Sequence, residues 1–167
     1  MNKKVSLRNY RESDLKFLHE LLSDELTKKY FPFMYTTCLE QSHLRLRTRL
    51  QDPEWGISNR FLVQDFWSKK PVGEISGRFD KKNKRKMEIS VIIHPDSRGK
   101  GYAKASTLEF IKKMKKENPD LETFVMEIAR SNESSKAVAR KLEFRLNEDR
   151  DGESKNTQFW EKSKDEL

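Results

Sequence analysis

The tetrapeptide Arg98-Gly99-Lys100-Gly101 lies between an apolar run, Ile89 to Ile93, and a helical pattern that begins near Tyr102. The run reads as a buried strand. His94-Pro95-Asp96-Ser97 ends it, because Pro95 cannot donate to a ladder and Asp and Ser favour turns. Strand, glycine-bearing loop, helix is the local plan of an anion site. The first N–H groups of a helix have no intrahelical partner, and the helix dipole adds partial positive charge there. Gly99 and Gly101 let backbone approach a ligand, while Arg98 and Lys100 contribute fixed charge. The loop therefore reads as a pyrophosphate cradle. It is neither of two common phosphate loops. Gly-x-x-x-x-Gly-Lys-Ser/Thr does not occur, and in a Gly-x-Gly-x-x-Gly frame begun at Gly99 the last glycine is Lys104.

Further along, Leu121 to Ile128 has strand character, Ser131-Asn132-Glu133-Ser134-Ser135 is a helix-start cluster, and Ala137 to Phe144 follows. Together the two segments resemble motifs A and B of the GNAT superfamily, the acetyl-CoA-dependent N-acetyltransferases. Motif A, Gln/Arg-x-x-Gly-x-Gly/Ala, is met by Arg98, Gly101 and Ala103. Motif B, Asn-x-x-Ser/Ala, a short helix and Lys-Leu-Gly-Phe, is met by Asn132, Ser135, Lys141, Leu142 and Phe144. The resemblance runs from about Val5 to Phe159 and is strongest to the ribosomal-protein (Rim-type) and spermidine acetyltransferase branch.

The resemblance implies an α+β (mixed α/β) GNAT fold. Its mostly antiparallel mixed sheet has six to seven strands, splayed at the cofactor site and flanked by about four helices. One domain would span 1–167. The implied activity is transfer of acetyl from acetyl-CoA to a primary amine by direct attack in a ternary complex. The acceptor could be a protein N-terminus, a polyamine, an amino acid or another small amine. Pantetheine would enter between Val91–Ile93 and Phe124–Ile128, with an N–H near Val91 or Ile92 polarising the thioester carbonyl. The cofactor-binding set so implied is Val91, Ile92, Ile93, Arg98, Gly99, Lys100, Gly101, Tyr102, Ala103, Asn132 and Ser135, with no metal. Glu88 is the candidate general base, acting through a water, with Glu74, Asp65, Glu127 and His94 as rivals. A second reading of Glu88 is a strand charge opposite the Lys70–Arg78 strand. Two positions depart from the family pattern. Ala139 stands where many members carry a Tyr acid, and Glu143 replaces a Gly whose φ, if positive, costs Glu on the order of 1 kcal/mol.

Other elements must hold these groups in place. Val5 to Arg8 suggests a first strand, and Ser13 offers a cap for a helix through about Ser23. Phe31-Pro32-Phe33-Met34-Tyr35 is an aromatic loop, readable as a substrate lip or as a staple between helices. Thr37–Glu40 forms a capping box for a helix to about Leu50 that turns Leu39, Leu46 and Leu50 inward. Asp52–Gly56 is a loop; Arg60–Asp65, Lys70–Phe79 and Met87–Ile93 form a meander across Phe66–Lys69 and Lys81–Lys86. The helix after the cradle should bury Ala105, Leu108, Ile111 and Met114 and stop at Asn118-Pro119-Asp120. Two weaker strands flank a polar loop, Asp149–Asn156.

The 167-residue chain can bury one core, with ten Phe and three Trp supplying large units. Its net charge of +8 fits an anionic cofactor, nucleic acid or a membrane surface. No helix-turn-helix, RRM or zinc pattern supports nucleic acid, and no apolar run of membrane length occurs. Cys38 is alone, and His19 and His43 have no partners at ligand spacing, so neither disulfide nor metal is expected. The start lacks a signal-peptide core, so the terminal Lys164-Asp165-Glu166-Leu167 is read as a coincidental retrieval address and the location as cytoplasmic. The expected partners are acetyl-CoA and an amine, without membrane or nucleic acid, and a homodimer is one option. The competing functions are a GNAT-shaped acyl-CoA-binding protein with little or no turnover, and a basic nucleic-acid module.

Overall fold

The computed structural model describes residues 4–51, 59–151 and 153–166; the Asp52–Gly56 loop lies outside them. The chain runs β1 (Val5–Arg8), α1 (Leu15–Leu22), α2 (Glu25–Tyr30), α3 (Leu39–Leu50), β2 (Asn59–Asp65), β3 (Pro71–Phe79) and β4 (Lys86–Ile93). Then follow α4 (Tyr102–Glu117), β5 (Thr123–Ala129), α5 (Glu133–Lys141), β6 (Arg145–Leu146) and β7 (Thr157–Ser163). The strands form one seven-stranded sheet in the order β1-β2-β3-β4-β5-β7-β6. All neighbours are antiparallel except β4 and β5, whose parallel pairing needs the crossover through α4.

Strand alternation sorts side chains onto two faces. Ile75, Met87 and Ile89 meet Phe110, Ile111 and Met114 of α4 on one side, with Phe124, Met126 and Trp160 in the same core. Leu62 and Ile92 meet Leu18, Leu21, Leu22 and Leu46 of α1 and α3 on the other. The Lys81–Arg85 tip is exposed, as expected of a solvated hairpin turn.

Several local expectations are corrected. Five α-helices occur among the described residues, against about four expected. The additional one, α2, buries only Thr27, so it offers no apolar period to read. Ser13 is exposed and caps nothing; Asp14 takes the amide of Arg11 at 2.7 Å and the guanidinium of Arg8 at 2.7 and 2.8 Å. The Thr37 box is displaced: α3 starts after Cys38, and the Thr37 amide donates to Gln41 Oε1. In α3, Leu46 is buried and Leu50 partly so, but Leu39 is exposed and Ser42 is buried. In α4 the buried stripe is Tyr102, Ser106, Thr107, Phe110, Ile111 and Met114, with Leu108 exposed. Ser106 and Thr107 sit inward because their hydroxyls donate to the carbonyls of Tyr102 and Ala103.

Glu143 has φ 61°, the left-handed conformation suspected from its place in the motif. A local ion pair opposes that strain. Lys162, buried on β7, donates to Leu142 O at 2.7 Å and to Glu143 Oε2 at 3.2 Å, so Glu143 is the counter-ion of an ammonium that would otherwise be unpaired.

Candidate active site

Pairing between β4 and β5 lasts only from Lys86↔Thr123 to Glu88↔Val125. Beyond it the strands part, and the free edge of β4 runs into the glycine loop. The direction of each amide follows from alternation. His94 N donates to Val72 O at 2.9 Å, so in the β3–β4 register Ile92 and Ser90 also point their amides at β3. Beyond the last pairing, Val91 and Ile93 then point theirs into the gap. Of the expected pair, Val91 supplies an open N–H and Ile92 does not; the Ile92 side chain is buried among α1–α3. The Ile93 side chain packs on the α4 core.

At the end of β4, Pro95–Ser97 makes a single 3₁₀ turn whose first amide, of Asp96, meets His94 Nδ1 at 3.3 Å. The His94 ring also stacks on Phe17, with Nε2 3.4 Å from Glu20, so His94 is engaged in the turn. Gly99 and Gly101 have φ 71° and 86°, and a Cβ on Gly99 would meet nothing within 4 Å. The amides of Gly99, Lys100 and Gly101 find no acceptor among the described residues, and no side chain caps α4. These three groups, just ahead of α4, form a bare array of donors.

The side chains of the loop behave differently from expectation. Arg98 does not present its charge freely: its amide donates to Pro95 O, Nε to Ile93 O at 3.0 Å, and Nη2 to Asp24 Oδ2 at 2.5 Å. Asp24 is also the N-cap of α2, so this pair straps the loop to that helix. Burial would raise the Asp24 carboxyl, but the hydrogen bond and charge of Arg98 outweigh it and lower its pKa. Lys100 Nζ lies on Asp96 O at the exposed surface. Tyr102 is buried and donates its hydroxyl to Asp65 Oδ2 at 2.8 Å, anchoring α4 to the end of β2. Asp65 also accepts the Ser68 and Trp67 amides; these bonds and Tyr102 hold its pKa down at about 2.

The gap opens into a cavity of about 250 Å³. Glu88 to Val91 form one wall and Met126 to Ala129 the other, with Asn132, Ser135 and Thr157 beside β5. Tyr30 at the end of α2 and Phe31, Phe33 and Met34 of the loop after it close the cavity, and Arg60, Ser76 and Arg78 form its floor. The aromatic loop thus borders the space as the lip reading expects, although Tyr35 is not among the lining residues. Asn132 Oδ1 accepts the Ser135 amide at 3.1 Å, so both residues are engaged in capping α5. Ala139 is wholly buried.

Glu88 stands at the cavity wall and also opposite the β3 strand. It lines the cavity, and it faces Arg78 across the β3–β4 register with Oε2 3.0 Å from Nη2. Glu127 also lines the cavity and accepts the Thr157 hydroxyl at 2.8 Å. Glu74 is buried and is not among the residues that line this cavity. Its oxygens take Arg49 Nε at 2.6 Å and Nη2 at 3.0 Å, Arg60 Nη1 at 2.6 Å and the Tyr10 hydroxyl at 2.7 Å. Burial would raise this carboxyl, but Arg49 and Arg60 outweigh it and hold its pKa down at about 2. A carboxylate so engaged is a poor proton acceptor, which removes Glu74 as a rival base.

Sequence reasoning missed Arg60, Ser76 and Arg78. The available signal was Glu74 itself, since an acid in the apolar strand Val72–Ile75 requires a cation near it. Among the described residues no group of three or more His, Cys, Asp or Glu could hold a metal, and no helix is long and apolar enough to cross a membrane.

A splayed parallel pair meeting a bare-amide loop is the arrangement that acyl-CoA-dependent transferases share in the resemblance above. Residues 4–145 match the family described as acetyltransferase (GNAT) domain, and the chain belongs to that family of acyltransferases. No curated protein matches the sequence. Among solved structures, a GNAT-family acetyltransferase from Bacillus anthracis superposes with TM-score 0.76 at 20% identity, covering 96% of this chain and 94% of that one. The spermidine N-acetyltransferase of Vibrio cholerae, in complex with CoA and spermine, gives 0.74 at 17% identity over 98% and 97%. RimL, a ribosomal L7/L12 α-N-protein acetyltransferase in complex with coenzyme A, gives 0.77 at 19% identity over 98% and 96%.

Proposed function

We propose that the protein transfers the acetyl group of acetyl-CoA to a primary amine held in the cavity between α2 and the β2–β4 floor. The observation that carries this reading is the array of unpartnered amides at Gly99, Lys100 and Gly101, set where the free edge of β4 meets α4. Donors fixed at a helix start suit a diphosphate without further rearrangement. The open edge of β4 suits an extended amide-bearing arm, and neighbours in the same fold are described in complex with CoA. Asn132 and Ser135 border that arm's path from the opposite side.

Acetyl-CoA supplies an activated acyl group; the chain supplies position and electrostatics. The Val91 amide is aimed into the gap, where it can donate to a carbonyl oxygen that gains charge, a role typically worth about 3 kcal/mol. Glu88 holds a carboxylate at the cavity wall, from which it takes the amine proton through a water. Arg78 keeps that carboxylate in place. With Ala139 in the helix after β5, no hydroxyl there protonates the departing thiolate, which leaves as the anion. Acceptors named for the neighbours, a polyamine and a protein N-terminus, are the two classes to test first. The test is calorimetric titration with coenzyme A, followed by thiol release from acetyl-CoA over a panel of amines. Heat without thiol release would leave a binding protein; absence of heat would refute the cradle.

A further inference from the structure

We propose that the accepted amine also carries a carboxylate, held by Arg60 and Arg78 on the cavity floor. This rests on the acetyltransferase reading above. The cluster behind the floor is unbalanced: Arg49 and Arg60 share one carboxylate, Glu74, with a neutral Tyr10, which leaves one positive charge in excess. Arg60 is the member of that cluster that lines the cavity. It uses one N–H on Glu74, and its other N–H groups meet no acceptor among the described residues. Arg78 likewise spends one N–H, on Glu88.

The sheet register brings the two guanidinium groups together. Arg60 lies opposite Ser76, and Arg78 lies two residues further along the same strand, on the same face. Such diagonal neighbours are roughly 7–8 Å apart at the backbone, close enough for two long side chains to converge on one carboxylate. Ser76 and Ser90, both lining the cavity, add hydroxyls between them. The floor lies one strand in from the β4 edge where the amine must arrive, so amine and carboxylate are separated by roughly 5 Å or more. Phe31, Phe33 and Met34 cover the intervening carbon chain. A polycation would face two arginines here, while the cavity's own acids, Glu88 and Glu127, already accept from Arg78 and Thr157.

Three amines of equal length separate these chemistries: 5-aminopentanoate, pentylamine and 1,5-diaminopentane. Each is titrated calorimetrically into the coenzyme A-loaded protein, and kcat/KM is measured with acetyl-CoA. The expected result is a preference for 5-aminopentanoate over pentylamine of at least about tenfold, with the diamine weakest. C-amidated Gly-Asp and Gly-Lys show whether the acid belongs to a free amino acid or to a peptide N-terminus. Arg78→Gln should abolish the preference for the acid, with coenzyme A binding as the check that the variant is folded. Arg60→Lys, which keeps the charge beside Glu74, should reduce it. Equal or tighter binding of the diamine, or an undiminished preference in Arg78→Gln, overturns the proposal while the acetyltransferase reading stands. Absence of coenzyme A binding overturns both.

Discussion

Replacing Glu74 by Gln removes the one anion that Arg49 and Arg60 share and leaves a neutral amide in its place. The magnitude follows from the carboxyl's pKa, about 2 in the folded protein against an ordinary glutamate value of 4.5. At 1.36 kcal/mol per pH unit, the ionised form is favoured by folding by about 3 kcal/mol. Loss of one partner of a buried ion pair typically costs about 3–5 kcal/mol, which agrees. The sign is fixed by the depressed value. The contribution is present in full above about pH 4.5 and is lost as the pH falls through about 2. Urea denaturation at pH 7 should therefore show Glu74→Gln less stable by about 3 kcal/mol. At pH 3 the gap between variant and wild type should narrow. A difference below about 1 kcal/mol at pH 7, or a gap that does not change with pH, would refute the argument that this cluster is held together by charge.

Three further outcomes test other parts of the molecule. Gly101→Val places a β-branched residue at φ 86° in the bare-amide loop and should weaken coenzyme A binding at least about tenfold by calorimetry; unchanged affinity would count against the cradle. Glu88→Gln should lower turnover by about tenfold or more while coenzyme A affinity holds, and a wild-type rate would remove Glu88 as base. Gly73→Ala would drive a Cβ into Ile92 O, a main-chain atom that cannot rotate away. A loss of roughly 1–3 kcal/mol is expected in denaturant melts, and a neutral result would show that β3 and β4 can part there.

What could be read from the chain divides along a physical line. The β2–β4 meander, α4 and the loop between β4 and α4 carry local signals: alternation, a proline stop and glycines at positive φ. The phase of the helices was harder. Ser42, Ser106 and Thr107 are buried because their hydroxyls are satisfied nearby, a fact that polarity alone conceals. The helix α2 has no apolar stripe and is held by Asp24, whose partner Arg98 lies in a distant loop. The acceptor side of the cavity was the least legible. Glu74 acquires its meaning from Tyr10, Arg49 and Arg60, which converge on it from β1's end, α3 and β2, and no spacing rule links those positions.

The strap between Arg98 and Asp24 has a practical consequence for anyone mapping this loop. With that guanidinium turned to scaffolding, whatever anion the turn captures is gripped by main chain, which has no side group to delete. Truncating residues to alanine one at a time would then show a loud response at Arg98, where an arm of the frame comes loose, and near silence at Lys100. The recognition surface would go unnoticed, and only changes that bend the peptide itself would expose it.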